Sequence, residues 1–190
     1  MLEAEALDTT VAAVNSALQR AHAQMQDRGL TAETVEPDLD ERQRNLLDQY
    51  VAAFWAKDIT AIVNLLKAEA IWEMPPFTGW YLGATTIGEL IDRQCPGGHH
   101  DMPMIETRAN GQPAFGLYMK TPEGDFAPFH LQVLQIDGEK VSHVGAFFDP
   151  RLFATFGLPA SLPAGYQPGD PVPDDPDGVA TGEHVVLGHP

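Results

Sequence analysis

The chain has 190 residues, enough for one domain of ordinary size with extensions on either side. Its 44% hydrophobic and 20% charged content is sufficient for a packed core, while 27 acids against 11 Lys and Arg give a formal net charge of −16. Such a polyanion excludes nucleic-acid binding through its overall surface, because phosphate contacts need Lys and Arg. Cys95 is the single cysteine, so no disulfide can form within the chain, and a reducing cytoplasm is the expected setting. No apolar run reaches the length of a membrane span, and no basic segment precedes an apolar one.

Residues 1–40 carry eight acids and two bases. Asp8-Thr9-Thr10 is a helix cap, and Val11, Val14, Leu18 and Ala21 follow at helical spacing to about Gln26, with Gly29 as the stop. Residues 29–40 are acidic, contain Pro37 and read as a linker. A second helix is expected from Glu41 to Ala56, with Leu46, Leu47, Tyr50, Val51 and Phe54 on one face. Asp58 caps a short third helix ending near Leu66. Ala70–Met74 reads as a strand stopped by Pro75-Pro76. Gly83–Thr86 leads a helix to Gln94, closed by Pro96-Gly97-Gly98. Four strands are then expected at 102–111, 113–121, 128–137 and 140–148. Asn110-Gly111, Thr121–Gly124 and Asp137-Gly138 turn the chain between them. Helices followed by an antiparallel sheet define an α+β domain over 41–158. Residues 159–190 hold seven prolines, five glycines, five acids and no base, and are expected to bury little.

Two resemblances are carried by these segments. "LLDQYVAAFWAKDITAIVNLLKAEAIWEMPPF", "GWYLGATTIGELI" and "LQVLQIDGEKVSHVGAFFDP" resemble the SnoaL-like, nuclear-transport-factor-like superfamily. This implies a cone: three helices packed on a strongly curved, mostly antiparallel sheet, with a cavity at its open end. "TTVAAVNSALQRA", within residues 1–28, looks like the second half of the DNA-reading helix-turn-helix of extracytoplasmic-function sigma factors. Asp8 stands where a turn glycine is usual, and the partner helix is almost wholly missing. A subset of these sigma factors carries a SnoaL-like domain after that helix, in this order.

By that resemblance Thr10, Ala13, Asn15, Ser16 and Arg20 would face DNA, in the context of a longer sigma factor. The implied partners are RNA polymerase and promoter DNA, reached through upstream sigma regions that this chain starts too late to contain. The cone would contact those sigma regions, pair with a second copy, or take a small apolar ligand, without a cofactor.

Within the superfamily, ketosteroid isomerase uses an Asp base with a Tyr and a protonated Asp as oxyanion donors. "QYVAAF" places Tyr50 at the Tyr, "WEMPPF" places Met74 at the base, and "APFHLQV" places His130 at the protonated Asp. A thioether cannot abstract a proton, so isomerase chemistry is not expected, although an isomerase, cyclase or epoxide hydrolase remains the alternative to a regulatory role. Glu73 is expected on the opposite face from Met74 by strand alternation. The expected pocket is apolar and lined by Tyr50, Trp72, Met74, Trp80, Tyr118, His130, Gln132, Phe147 and Asp149. His99-His100 invites a metal reading, but adjacent side chains do not readily share one tetrahedral site, and no metal site is expected.

Overall fold

The computed structural model describes residues 19–20 and 39–173. The chain divides into two units, Met1–Pro37 and Asp38–Pro190. In the first, Gln19 and Arg20 are helical and exposed. The rest of the expected DNA-reading helix, including Thr10, Ala13, Asn15 and Ser16, lies outside the described residues, as do the linker up to Asp38 and residues 174–190.

The second unit opens with helix α1 (Glu41–Trp55). Its start is fixed by a capping box: Asp40 Oδ1 accepts from the Gln43 amide at 2.8 Å, and Gln43 Oε1 accepts from the Asp40 amide at 3.1 Å. A cap of this kind contributes about 1 kcal/mol. Leu46, Leu47, Tyr50, Ala53 and Phe54 form the buried stripe that the helical spacing predicts. Lys57 takes a left-handed turn (φ 46°), and Asp58 caps α2 (Ile59–Leu65) by accepting from the Ala61 amide. Then come β1 (Leu66–Glu73), β2 (Trp80–Leu82), α3 (Ala84–Gln94), β3 (Met104–Ala109), β4 (Gln112–Lys120), β5 (Phe126–Asp137), β6 (Lys140–Phe147) and the short α4 (Arg151–Thr155).

The six strands form one sheet in the order β2-β1-β6-β5-β4-β3, with β1 and β6 parallel and every other pair antiparallel. The α+β architecture is as expected, with two elements added. Strand β2 has three residues between a Pro/Gly-rich turn and a helix cap, too few for alternation to register. Helix α4 has five.

One face of the sheet packs against α1, α2 and α3 in the main core, which includes Phe54, Ile62, Trp72, Ile87, Phe115, Leu117, Leu134 and Val144. A second core lies on the other face. There Ile105, Tyr118, Phe126, Leu131 and Phe153 bury against Leu158, Leu162 and Tyr166. The expectation that residues beyond 158 bury little is therefore corrected for the stretch up to Tyr166. The prolines and glycines turn this segment, but its spaced apolar anchors hold it down. Phe126 and Leu162 exchange both backbone hydrogen bonds at 2.9 Å, and Tyr118 Oη donates to the Pro159 carbonyl at 2.8 Å. Gly116 lets the layers meet: a Cβ there would lie 2.7 Å from Leu158 Cδ1 and 2.8 Å from Phe153 Cε1. No helix among the described residues is long and apolar enough to cross a membrane.

Candidate functional site

A cavity of about 630 Å³ sits between the helices and the concave side of the sheet. Phe54 of α1 and Leu90, Ile91 and Gln94 of α3 supply its helical wall, with Cys95 at the end of α3. Trp72 and Met74 come from β1 and the residue following it, Tyr81 from β2, Phe129 and His130 from β5, and Phe148 from just past β6. The exposed residues Pro76, Phe77, Thr78 and Gly79 complete the lining. The lining contains no Asp, Glu, Lys or Arg.

Strand parity decides which aromatics reach this space. Trp72 is in register with Tyr81 on one side and Val144 on the other, and these three share the inner face. Trp80, one residue out of phase, is 68% exposed on the outer face and does not line the cavity. Phe147 is corrected in the same way: Val144 and Ala146 are buried in the main core, Phe147 turns outward, and Phe148 turns in. Alternation also sends Tyr118 outward from Leu117, into the second core under Pro159. Asp149 is pinned at the surface by a forked ion pair with Arg151, which holds its carboxyl below the usual range. With Tyr50 and Gln132, which lie behind the lining, six of the nine expected pocket residues are placed elsewhere.

In β5 the register shifts between Leu117↔His130 and Tyr118↔Pro128, leaving Phe129 as an extra residue. This bulge is why neighbours Phe129 and His130 both line the cavity, which strict alternation forbids. Phe129, His130 and Phe148 form a cluster, with ring centroids 5.3 Å apart for Phe129–Phe148 and 4.7 Å for His130–Phe148. Sequence reasoning missed the lining roles of Phe129, Phe148 and Tyr81.

Behind the lining runs a buried polar chain. Tyr50 Oη donates to Gln132 Oε1 at 2.7 Å, and Gln132 Nε2 meets His130 Nε2 at 2.8 Å. All three side chains are buried. Tyr50 is committed to Gln132 in the core rather than lining the cavity, and burial raises its hydroxyl pKa well above the ordinary value. Burial lowers the His130 pKa to about 3, so the imidazole is neutral at physiological pH. An amide whose oxygen accepts from Tyr50 turns its NH₂ toward His130 Nε2, which must then be the acceptor, and the ring proton sits on Nδ1. That Nδ1 is buried without a protein hydrogen-bond partner, and so is Trp72 Nε1.

Away from the cavity, Glu73 pairs with His143 at 3.3 Å on the outer face. His99 and His100 stack on each other, and His100 stacks on Trp55. No group of three His, Cys, Asp or Glu positioned to hold a metal occurs among the described residues.

This architecture can be set beside known proteins. No protein-family model matches the chain. It is 52% identical over 163 residues to the ECF RNA polymerase sigma factor SigG of Mycobacterium tuberculosis strain CDC 1551 / Oshkosh, and equally to SigG of strain ATCC 25618 / H37Rv. By sequence, most of the chain is similar to extracytoplasmic-function sigma factors. The match takes in 84% of this chain, which spans only 43% of the length of those curated proteins. Among solved structures, an NTF-2 like protein of unknown function from Burkholderia xenovorans LB400 matches with a TM-score of 0.50 at 20% identity, over 57% of this chain and 84% of that one. The second unit therefore has an NTF2-like fold.

Proposed function

We propose that the chain is a regulatory part of an alternative sigma factor, whose NTF2-like domain binds a small, neutral, largely apolar molecule. It adjusts promoter-dependent transcription through contacts with RNA polymerase or with the sigma regions themselves. The observation that carries this reading is a cavity free of charged side chains in a chain 52% identical to SigG. Turnover finds little support in the same lining. Met74 occupies the position where the isomerase base is expected, and the one titratable imidazole is held neutral with Nε2 already bonded.

In this reading the partners are RNA polymerase and promoter DNA, the setting is the cytoplasm, and residues 1–28 derive from the DNA-reading helix. Residues 29–40 link that helix to the cone, and Thr10, Ala13, Asn15, Ser16 and Arg20 face DNA in the assembled sigma factor. The test is promoter-dependent transcription in vitro by the sigma factor as expressed in the cell, with and without residues 41–190, alongside binding of the domain to polymerase and to sigma regions. A severalfold change in transcription, with measurable contact, is expected. Unchanged transcription and no contact would refute the reading.

A further inference from the structure

Apolar side chains stand in solvent at the β2 end of the sheet: Phe77, Trp80 and Leu82 are 61%, 68% and 66% exposed, and Phe147 is partly exposed beside them. Strand pairing sets them on or next to one row of the outer face. Trp80 and Gly145 are the two register partners of Glu73, and a Cβ at Gly145 would lie 3.1 Å from the Phe147 ring. Contiguous apolar surface held in water marks a contact face. Glu73, Phe77 and Trp80 also line a notch of about 230 Å³ that contains no Lys or Arg. The backbone of β2 is open as well. Gly83 donates to the Ala70 carbonyl at 2.8 Å, and bonded pairs alternate along an antiparallel ladder, so Tyr81 turns its amide and carbonyl toward Trp72. Trp80 and Leu82 turn theirs the other way, to a side where no strand lies among the described residues. Such an edge is a template for a further strand.

We propose that this edge takes an extended protein segment with an Arg or Lys between apolar residues, supplied by the part of the sigma factor that grips DNA. This deepens the regulatory reading above and rests on it. Charge complementarity selects the occupant. The cation enters the notch, meets the Glu73 carboxylate and lies against Trp80 and Phe77, while an apolar neighbour covers Leu82. Main-chain bonds to Trp80 and Leu82 supply affinity, and the notch supplies specificity. Regions that grip DNA carry Lys and Arg for its phosphates, so a basic segment held here is kept from the promoter. A second copy, a nucleic acid or an anionic membrane fits poorly, because each brings negative charge to Glu73 and to a chain of net charge −16.

The experiment uses the 190-residue chain and short probe peptides of alternating valine and threonine, with arginine, glutamine or glutamate at the centre. Binding is followed by calorimetry and by ¹⁵N NMR of the backbone amides. The arginine peptide is expected to bind about tenfold more tightly than the glutamine peptide, and the glutamate peptide more weakly than either. The Trp80 and Leu82 amides should shift on binding, and the Tyr81 amide, already bonded within the sheet, should shift less. Glu73→Gln should remove most of the arginine preference and leave the affinity for the glutamine peptide within about twofold, a split that misfolding would not produce. In the sigma factor as expressed in the cell, Glu73→Gln should change transcription in the same direction as deleting residues 41–190. Equal affinity for the three peptides, no binding of any, or binding that leaves the Trp80 and Leu82 amides unmoved would overturn the proposal. So would self-association of the chain that Trp80→Ser abolishes, which would assign the edge to a second copy. Transcription changed by the deletion but not by Glu73→Gln refutes the docking edge alone. Transcription unchanged by the deletion is a separate failure, of the regulatory reading itself.

Discussion

Acidification should destabilise the domain through one residue, His130. Its ring is 4% exposed, and burial holds its pKa near 3 against the ordinary 6.5. In the unfolded chain the imidazole takes up a proton as pH falls through about 6.5; in the folded chain it does not until about 3. Over that window the unfolded state binds more protons, so stability rises with pH. The contribution is complete above about pH 6.5 and is lost progressively toward pH 3. At 1.36 kcal/mol per pH unit, moving from about pH 7 to about pH 4.5 removes on the order of 2–3 kcal/mol. That is a large share of the roughly 5–15 kcal/mol typical of a domain. The assay is urea denaturation of the wild type and His130→Leu at both pH values. The variant leaves the Gln132 amide unpaired and should lose about 1–3 kcal/mol at either pH. Its further loss on acidification should be smaller than the wild type's by those 2–3 kcal/mol, because subtracting the two removes the shared titration of the carboxylates. Equal acid losses in the two proteins would refute a buried, neutral His130.

Tyr50→Phe should cost about 1–2 kcal/mol in denaturant titrations by leaving Gln132 Oε1 without its donor, and should allow the imidazole proton to redistribute between the two ring nitrogens by ¹⁵N NMR. Gly116→Ala should destabilise by about 1–3 kcal/mol, because its Cβ would push on Leu158 and Phe153; limited proteolysis should then cut between residues 151 and 166 faster than in wild type. Ending the chain after Gly157 should uncover Tyr118, Phe126 and Leu131, lowering the melting temperature and raising dye binding by exposed apolar surface; unchanged melting would show that the second core contributes little.

Much of the fold was legible in the sequence because its signals are local. Asp40 and Asp58 cap helices through hydrogen bonds within three residues, the stripe from Leu46 to Phe54 repeats at the helical period, and the Asp137–Lys140 turn is set by its own residues. That a thioether follows Glu73 was legible too, since it depends only on the order of residues. The site's exact membership was not, because facing is a parity question that a single strand cannot answer. Whether Trp80 or Tyr81, Phe147 or Phe148, turns inward depends on pairing with Trp72 and Val144, and the bulge at Phe129 breaks the alternation altogether.

The C-terminal segment shows the same division. Its prolines and glycines announce turns, but the burial of Leu158, Leu162 and Tyr166 depends on an apolar outer sheet face built from strands up to about 60 residues away. Sequence by itself determined helices α1 to α3, the acidic character, the sigma-factor resemblance and the thioether that follows Glu73. Tertiary structure alone decided that Tyr50, Gln132 and His130 form one buried chain. The Tyr50–Gln132 contact joins residues 82 apart, and the chain's energetics depend on exclusion from water, which no local pattern records.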